Sequence, residues 1–159
     1  MKTLVVVCFF GIVCRLPLSA QTEFPKPTGL AQPHGYSHVV ATSSEKLIFL
    51  SGQVANDSQG KLVGKGDLRA QAIQVFENLK TALAAASANF DDVVKITMYV
   101  KEYKPEYLGT LREVRDTYVN KTNPPASTLV GVTSLVQDDY LLEIEAIAAP
   151  PSKGAKKHR

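Results

Sequence analysis

Between residues 93 and 100 apolar and polar side chains alternate, with Val94, Ile96, Met98 and Val100 on one side and Lys95, Thr97 and Tyr99 on the other. A period of two is a strand with one core face and one partly polar face. Residues 141–149 repeat the pattern, with Leu142, Ile144, Ala146 and Ala148 opposite Glu143 and Glu145. Residues 128–132 form another strand. The short runs 38–41 and 47–50, joined through Ser43 to Lys46, predict an antiparallel hairpin. The second run is apolar at every position, which predicts cover on both faces.

The period lengthens to that of a helix over residues 68–88, where Ile73, Phe76, Leu79 and Leu83 share a face and Asp67 stands at the cap position. Pro105 suits the first turn of a second helix, running to about Asn120 with Tyr107, Leu111, Val114 and Tyr118 near one stripe. Asn123, Pro124 and Pro125 stop it. The resulting order is ββαβαββ, an α+β domain with both helices on one side of a mixed sheet. The other face of that sheet then needs a partner, which predicts a homo-oligomer.

Composition divides the chain further. Residues 1–20 carry Lys2, an apolar run from Leu4 to Cys14 too short to span a bilayer, and Leu18, Ser19 and Ala20 before Gln21. This reads as a secretory signal peptide, so the product is exported to a periplasm or secreted, with no stable membrane insertion after processing. A retained anchor is the alternative. Both cysteines lie in that leader, leaving no thiol for a disulfide, nucleophile or metal site in the mature chain. Without Lys2 and Arg15 the formal charge falls from +3 to +1. That balance argues against a nucleic-acid partner. Residues 21–35, with three prolines and two glycines, predict an extended lead-in, and residues 36–150 a single packed domain. Residues 151–159 form a basic tail, read as solvated rather than as a polyanion contact.

The chemistry-bearing candidates are few. Glu143 and Glu145, two apart on one strand, leave the same face. They are either surface charges or a pair in which a pocketed carboxylate does general acid/base work. Ser127 lacks the glycine-flanked elbow and paired histidine of a nucleophile. His34 and His38 lack the further ligands of a zinc site, so no metal is expected.

Several segments, in order, resemble the RidA (YjgF) family of imine and enamine deaminases. They are Pro33 to His38, Ser51-Gly52-Gln53, Gln71 through Asn78-Leu79 to Ala86, Asp92 to Lys95, Pro125-Ala126, and Glu143-Ile144-Glu145-Ala146. The resemblance covers roughly residues 30–149. It implies a chorismate mutase-like fold, a homotrimer with pockets at the subunit clefts, and hydrolysis of 2-imino acids without metal or organic cofactor. In that family an arginine grips the substrate carboxylate and a glutamate positions the attacking water.

Carried onto this chain, the glutamate is Glu143, the pocket tyrosine Tyr36 and a pocket-wall glycine Gly52, with Thr128 and Leu129 adjoining the substrate. The arginine position falls on Ser127. One hydroxyl cannot replace a bidentate guanidinium. Losing about 1.5–3 kcal/mol of charge-assisted bonding costs roughly ten- to a hundred-fold in binding or rate. Leu111 stands near a position where other deaminases carry asparagine. Arg112 or Arg115 could supply the missing cation, although the charged run around them reads first as a solvated helix face. Three functions remain open: a hydrolytic deaminase with altered substrate preference, a non-catalytic binder of small ligands in the inter-subunit cleft, and a ribonuclease. For the last, the domain lacks a basic stripe with stacking aromatics.

Overall fold

A computed structural model describes residues 21–151. The leader read over residues 1–20 and the tail beyond Pro151 lie outside the described residues. Strands Ile48–Gln53 (β3), Val93–Lys101 (β4), Ala126–Val132 (β5) and Leu142–Ala148 (β6) form one sheet in the order β3-β6-β4-β5. β6 is antiparallel to both neighbours, and β4 and β5 are parallel, so the sheet is mixed. Ahead of it, Thr22–Glu23 (β1) pairs with Ala41–Thr42 (β2). Helices Leu68–Ala85 (α1) and Tyr107–Arg115 (α2) pack together on one face of the sheet, and α1 lies on β3 and β6. From β2 onward the order is the expected ββαβαββ.

The register sorts the strand residues by face. Leu50, Ala146, Ile96 and Ser127 lie in one row across the sheet on the helix side. Phe49, Ile147, Lys95 and Ala126 form the next row on the open side, followed after one more step by Glu143, Tyr99 and Val130. The alternation in β4 and β6 is therefore that of a sheet covered on one face only. Ile96, Val100, Leu142 and Ile144 are fully buried beneath Val75, Phe76, Leu79 and Leu83 of α1.

Four local expectations change. β2 pairs with β1 rather than forming a hairpin with β3. Phe49 is 72% exposed, so the apolar run of β3 is covered on one face only. The core stripe of α1 is Ala72, Val75, Phe76, Leu79 and Leu83, and Ile73, one position off it, is 44% exposed. α2 stops at Arg115, because Thr117, Tyr118 and Val119 turn back onto the carbonyls of Val114 and Arg115.

α1 also fixes the two strands that matter most for the site. Asp67 caps it by accepting from the Ala70 amide at 3.0 Å. Gln71, fully buried, donates to Gly64 O and Asp139 O and accepts from the Leu141 amide at 2.8 Å, clamping the entry to β6. Asn78 donates to Val54 O and Asn56 O, both at 2.9 Å, and holds the exit from β3. Every polar atom of the Gln71 side chain is thus bonded, as burial requires.

Candidate functional site

β3 and β6 bring Gly52 and Glu143 together. Between Leu50 and Gln53 the register slips by one residue against Ala146 and Ile144, a bulge that contains Gly52. A Cβ on Gly52 would lie 1.9 Å from Glu143 Oε1 and 2.8 Å from its carboxyl carbon. The missing Cβ leaves room for this close approach, so that the carboxylate rests directly on the bulged backbone.

The two glutamates divide their roles. Glu145 Oε1 accepts a 3.0 Å hydrogen bond from the Tyr99 hydroxyl, which pushes the pKa of Tyr99 upward. Glu143 accepts no hydrogen bond among the described residues. Beside them on the open face, Lys95 donates to Thr128 Oγ1, and burial lowers the pKa of its ammonium against the opposing pull of Glu145.

Three other expected site residues, Tyr36, Ser127 and Leu129, gather on the opposite face. A cavity of about 150 Å³ opens between α2, the lead-in and the outer strand β5. The sheet contributes Met98, Ser127 and Leu129, and the lead-in His34 and Tyr36. Ser37 holds that segment in place, donating from its amide to Pro125 O at 3.2 Å and from Oγ to Pro124 O at 2.6 Å, next to the start of β5. Tyr36 meets His38 edge-on at 5.3 Å, and His38 Nε2 lies 2.8 Å from Ala31 O.

From α2 come Leu108, Leu111, Arg112 and Arg115, at the i, i+3, i+4, i+7 spacing of one helical stripe. The two arginines therefore face the same cavity as Ser127. Arg115 is only 4% exposed. Its Nε and Nη2 donate to Asp116 Oδ1 at 2.9 and 2.7 Å. The sequence signal for this placement was Arg115 falling in step with Leu108 and Leu111, which the neighbouring charges obscured.

Within one protomer, then, Tyr36, Ser127 and Leu129 share a cavity on the helix side, whereas Gly52 and Glu143 meet on the open side. Thr128, between two cavity residues on β5, points to the open face, as strand alternation dictates. Among the described residues no three His, Cys, Asp or Glu side chains are grouped to hold a metal ion, and no helix is long and apolar enough to cross a membrane.

Residues 28–150 match the family model described as endoribonuclease L-PSP. A RutC family protein of Pyrococcus horikoshii is 36% identical over 124 residues, 78% of this chain and 90% of the relative. The crystal structure of a Rid family protein of unknown function from Yersinia pestis superposes with a TM-score of 0.77 at 34% identity, covering 81% of this chain and 98% of the other. RidA from an Antarctic Psychrobacter gives a TM-score of 0.59 at 29% identity, covering 69% and 88%. The family-model match, the sequence identity and the superposition agree, and the chain belongs to the RidA (YjgF/RutC) family.

Proposed function

We propose that this protein is a hydrolytic deaminase of small imines or enamines, with a substrate preference altered by Ser127, working at clefts between the subunits of a homotrimer. The observation that carries the reading is Glu143: its carboxylate is seated on Gly52 and free of hydrogen bonds among the described residues, whereas its neighbour Glu145 is engaged by Tyr99. A carboxylate so held is suited to orient one water and take its proton. As the water oxygen bonds to the imine carbon, that proton passes to Glu143. It returns to the nitrogen to give the carbinolamine. Glu143 then carries the hydroxyl proton to the amine, and as the C–N bond breaks ammonia leaves and the carbonyl product forms.

The trimer belongs to the proposal because the expected site residues lie on both faces of one sheet. A second copy laid on the open face would bring its own cavity edge toward Glu143 and Gly52. A cavity of about 150 Å³ accepts a benzene-sized molecule, and this favours a small metabolite over a polynucleotide. Export through residues 1–20 is proposed on the sequence pattern, and the N-terminal residue of protein recovered from the producing cells tests it, with Gln21 expected.

The decisive assay supplies imines generated in situ, both carboxylated and neutral, to the purified assembly and to Glu143→Ala. The wild type should raise the rate of at least one imine well above the uncatalysed rate, with the variant at background. Equal background rates for both would leave only the reading as a non-catalytic ligand binder.

A further inference from the structure

The cavity beside Ser127 has lost the guanidinium expected on β5, yet it carries two from the opposite wall. Arg115 is buried, and the lead-in closes on it: Gly35, at φ +75°, packs so tightly that a Cβ there would stand 2.3 Å from Arg115 Nη2. A guanidinium has five N–H donors, and two of them, one on Nε and one on Nη2, are directed at a single oxygen of Asp116. Nη1 makes no hydrogen bond among the described residues. Arg112, one helical turn earlier, is exposed and has no ion-pair partner among them. Asp116 balances one of the two positive charges, so the cavity wall keeps an excess of one.

The remaining lining is complementary to the rest of a small amphiphile. Met98, Leu108, Leu111 and Leu129 offer an apolar floor, and Tyr36 and Ser127 offer hydroxyls. We infer that Arg112 and Arg115 form an anion subsite here, so that the cavity takes a small carboxylate with a short apolar tail, its carboxylate on α2 and its tail toward Met98 and Leu129. The carboxylate grip has moved from β5 to α2. A carboxylate fits better than a phosphate because the volume is small and most of the wall is apolar. The inference rests on the proposed reading that this cavity is the ligand site, and it names the substrate class for it.

Titration calorimetry of the full assembly tests it, with butanoate and 2-oxobutanoate as probes and butanamide as the neutral match. Wild type should bind both acids saturably and butanamide at least tenfold more weakly. Arg112→Gln, at an exposed position, and Arg115→Lys, which keeps the charge but not the fork, should each weaken the acids about tenfold or more. Ser127→Arg should bring no gain, because it sets a third guanidinium against the first two. Unchanged acid binding in Arg112→Gln and in folded Arg115→Lys would overturn the inference. So would tenfold tighter binding by Ser127→Arg, which would place the grip back on β5. Should Arg115→Lys not fold, Arg112→Gln and Ser127→Arg decide between these outcomes. Absence of saturable binding by wild type removes both the subsite and the cavity as ligand site. Arginine-dependent binding alongside a catalytically inert Glu143 keeps the subsite and removes only the deaminase.

Discussion

Gly52 shows how a single missing methyl group can position a catalytic candidate. Its neighbour is the mobile end of Glu143, so an added Cβ displaces the carboxylate rather than the backbone. Gly52→Ala should therefore leave the fold standing while moving Glu143 off the position from which it orients water. We expect imine turnover to fall ten-fold or more with thermal unfolding shifted by only a few degrees, as measured by a rate assay and a melting curve on the same preparation. Turnover equal to wild type would mean that the contact with Gly52 does not set the position of Glu143. At this scale the sequence was informative where alternation or a matched motif spoke: Glu143 and Glu145 do share a face, and Gly52 does meet Glu143. It was not informative about which glutamate is engaged, because the Tyr99 bond to Glu145 depends on a register between strands more than forty residues apart. Arg115 was misread for a related reason, since charge suggested solvent while its helical phase placed it in the cavity.

Among the elements, α1 was the most legible in extent, yet its end shows what pattern alone misses. It stops at Ala85, three residues before the apolar and alanine-rich run does, because Ser87 takes a left-handed conformation at φ +59°. Ser87 N bonds to Ala84 O and Ala88 N to Leu83 O, the paired bonds of a Schellman cap with serine where glycine is favoured. Ser87→Gly should remove that strain and stabilise the domain by about 0.5–1 kcal/mol, read from denaturant midpoints at unchanged slope. Lower stability would show that the serine side chain matters more than its backbone. The β1–β2 pairing was hidden for a different reason, being two residues long and closed across a turn-rich lead-in with no alternation to read.

The junction of α1 with the turn after α2 carries a pH dependence. Tyr118 stacks on Phe76 at 4.9 Å and donates to Glu77 Oε1 at 2.9 Å. Burial first, then that bond and the Glu77 charge, push its pKa up to about 12. A phenol raised in the folded state holds its proton longer there than in the unfolded chain. The contribution is complete below about pH 10 and is lost as pH rises toward 12. Tyr118→Phe keeps the stack but removes this term. The difference in melting temperature between wild type and variant should shrink across that window, whereas a constant difference would exclude the linkage.

The whole molecule has one face finished and one open. α1 and α2 bury the helix side, while the other side presents Phe49 at 72% exposure and Val130 at 39%, interleaved with the Lys95–Thr128 and Tyr99–Glu145 hydrogen bonds. Apolar residues set among satisfied polar ones are the composition of a surface that is covered by another protein surface. Under the proposed trimer, Phe49 is buried against a second copy and touches neither the cavity nor Glu143 within its own subunit. Phe49→Asp should then leave the isolated subunit folded, because the side chain contributes little to its core. It should shift the molar mass measured by light scattering from three chains toward one. Imine turnover should disappear with the assembly, although no cavity residue has changed, since Glu143 and the cavity stand on opposite faces of a single sheet and only a neighbour can join them. A variant that stays trimeric would place the contact elsewhere on the sheet, and an active monomer would show that one subunit completes the site alone.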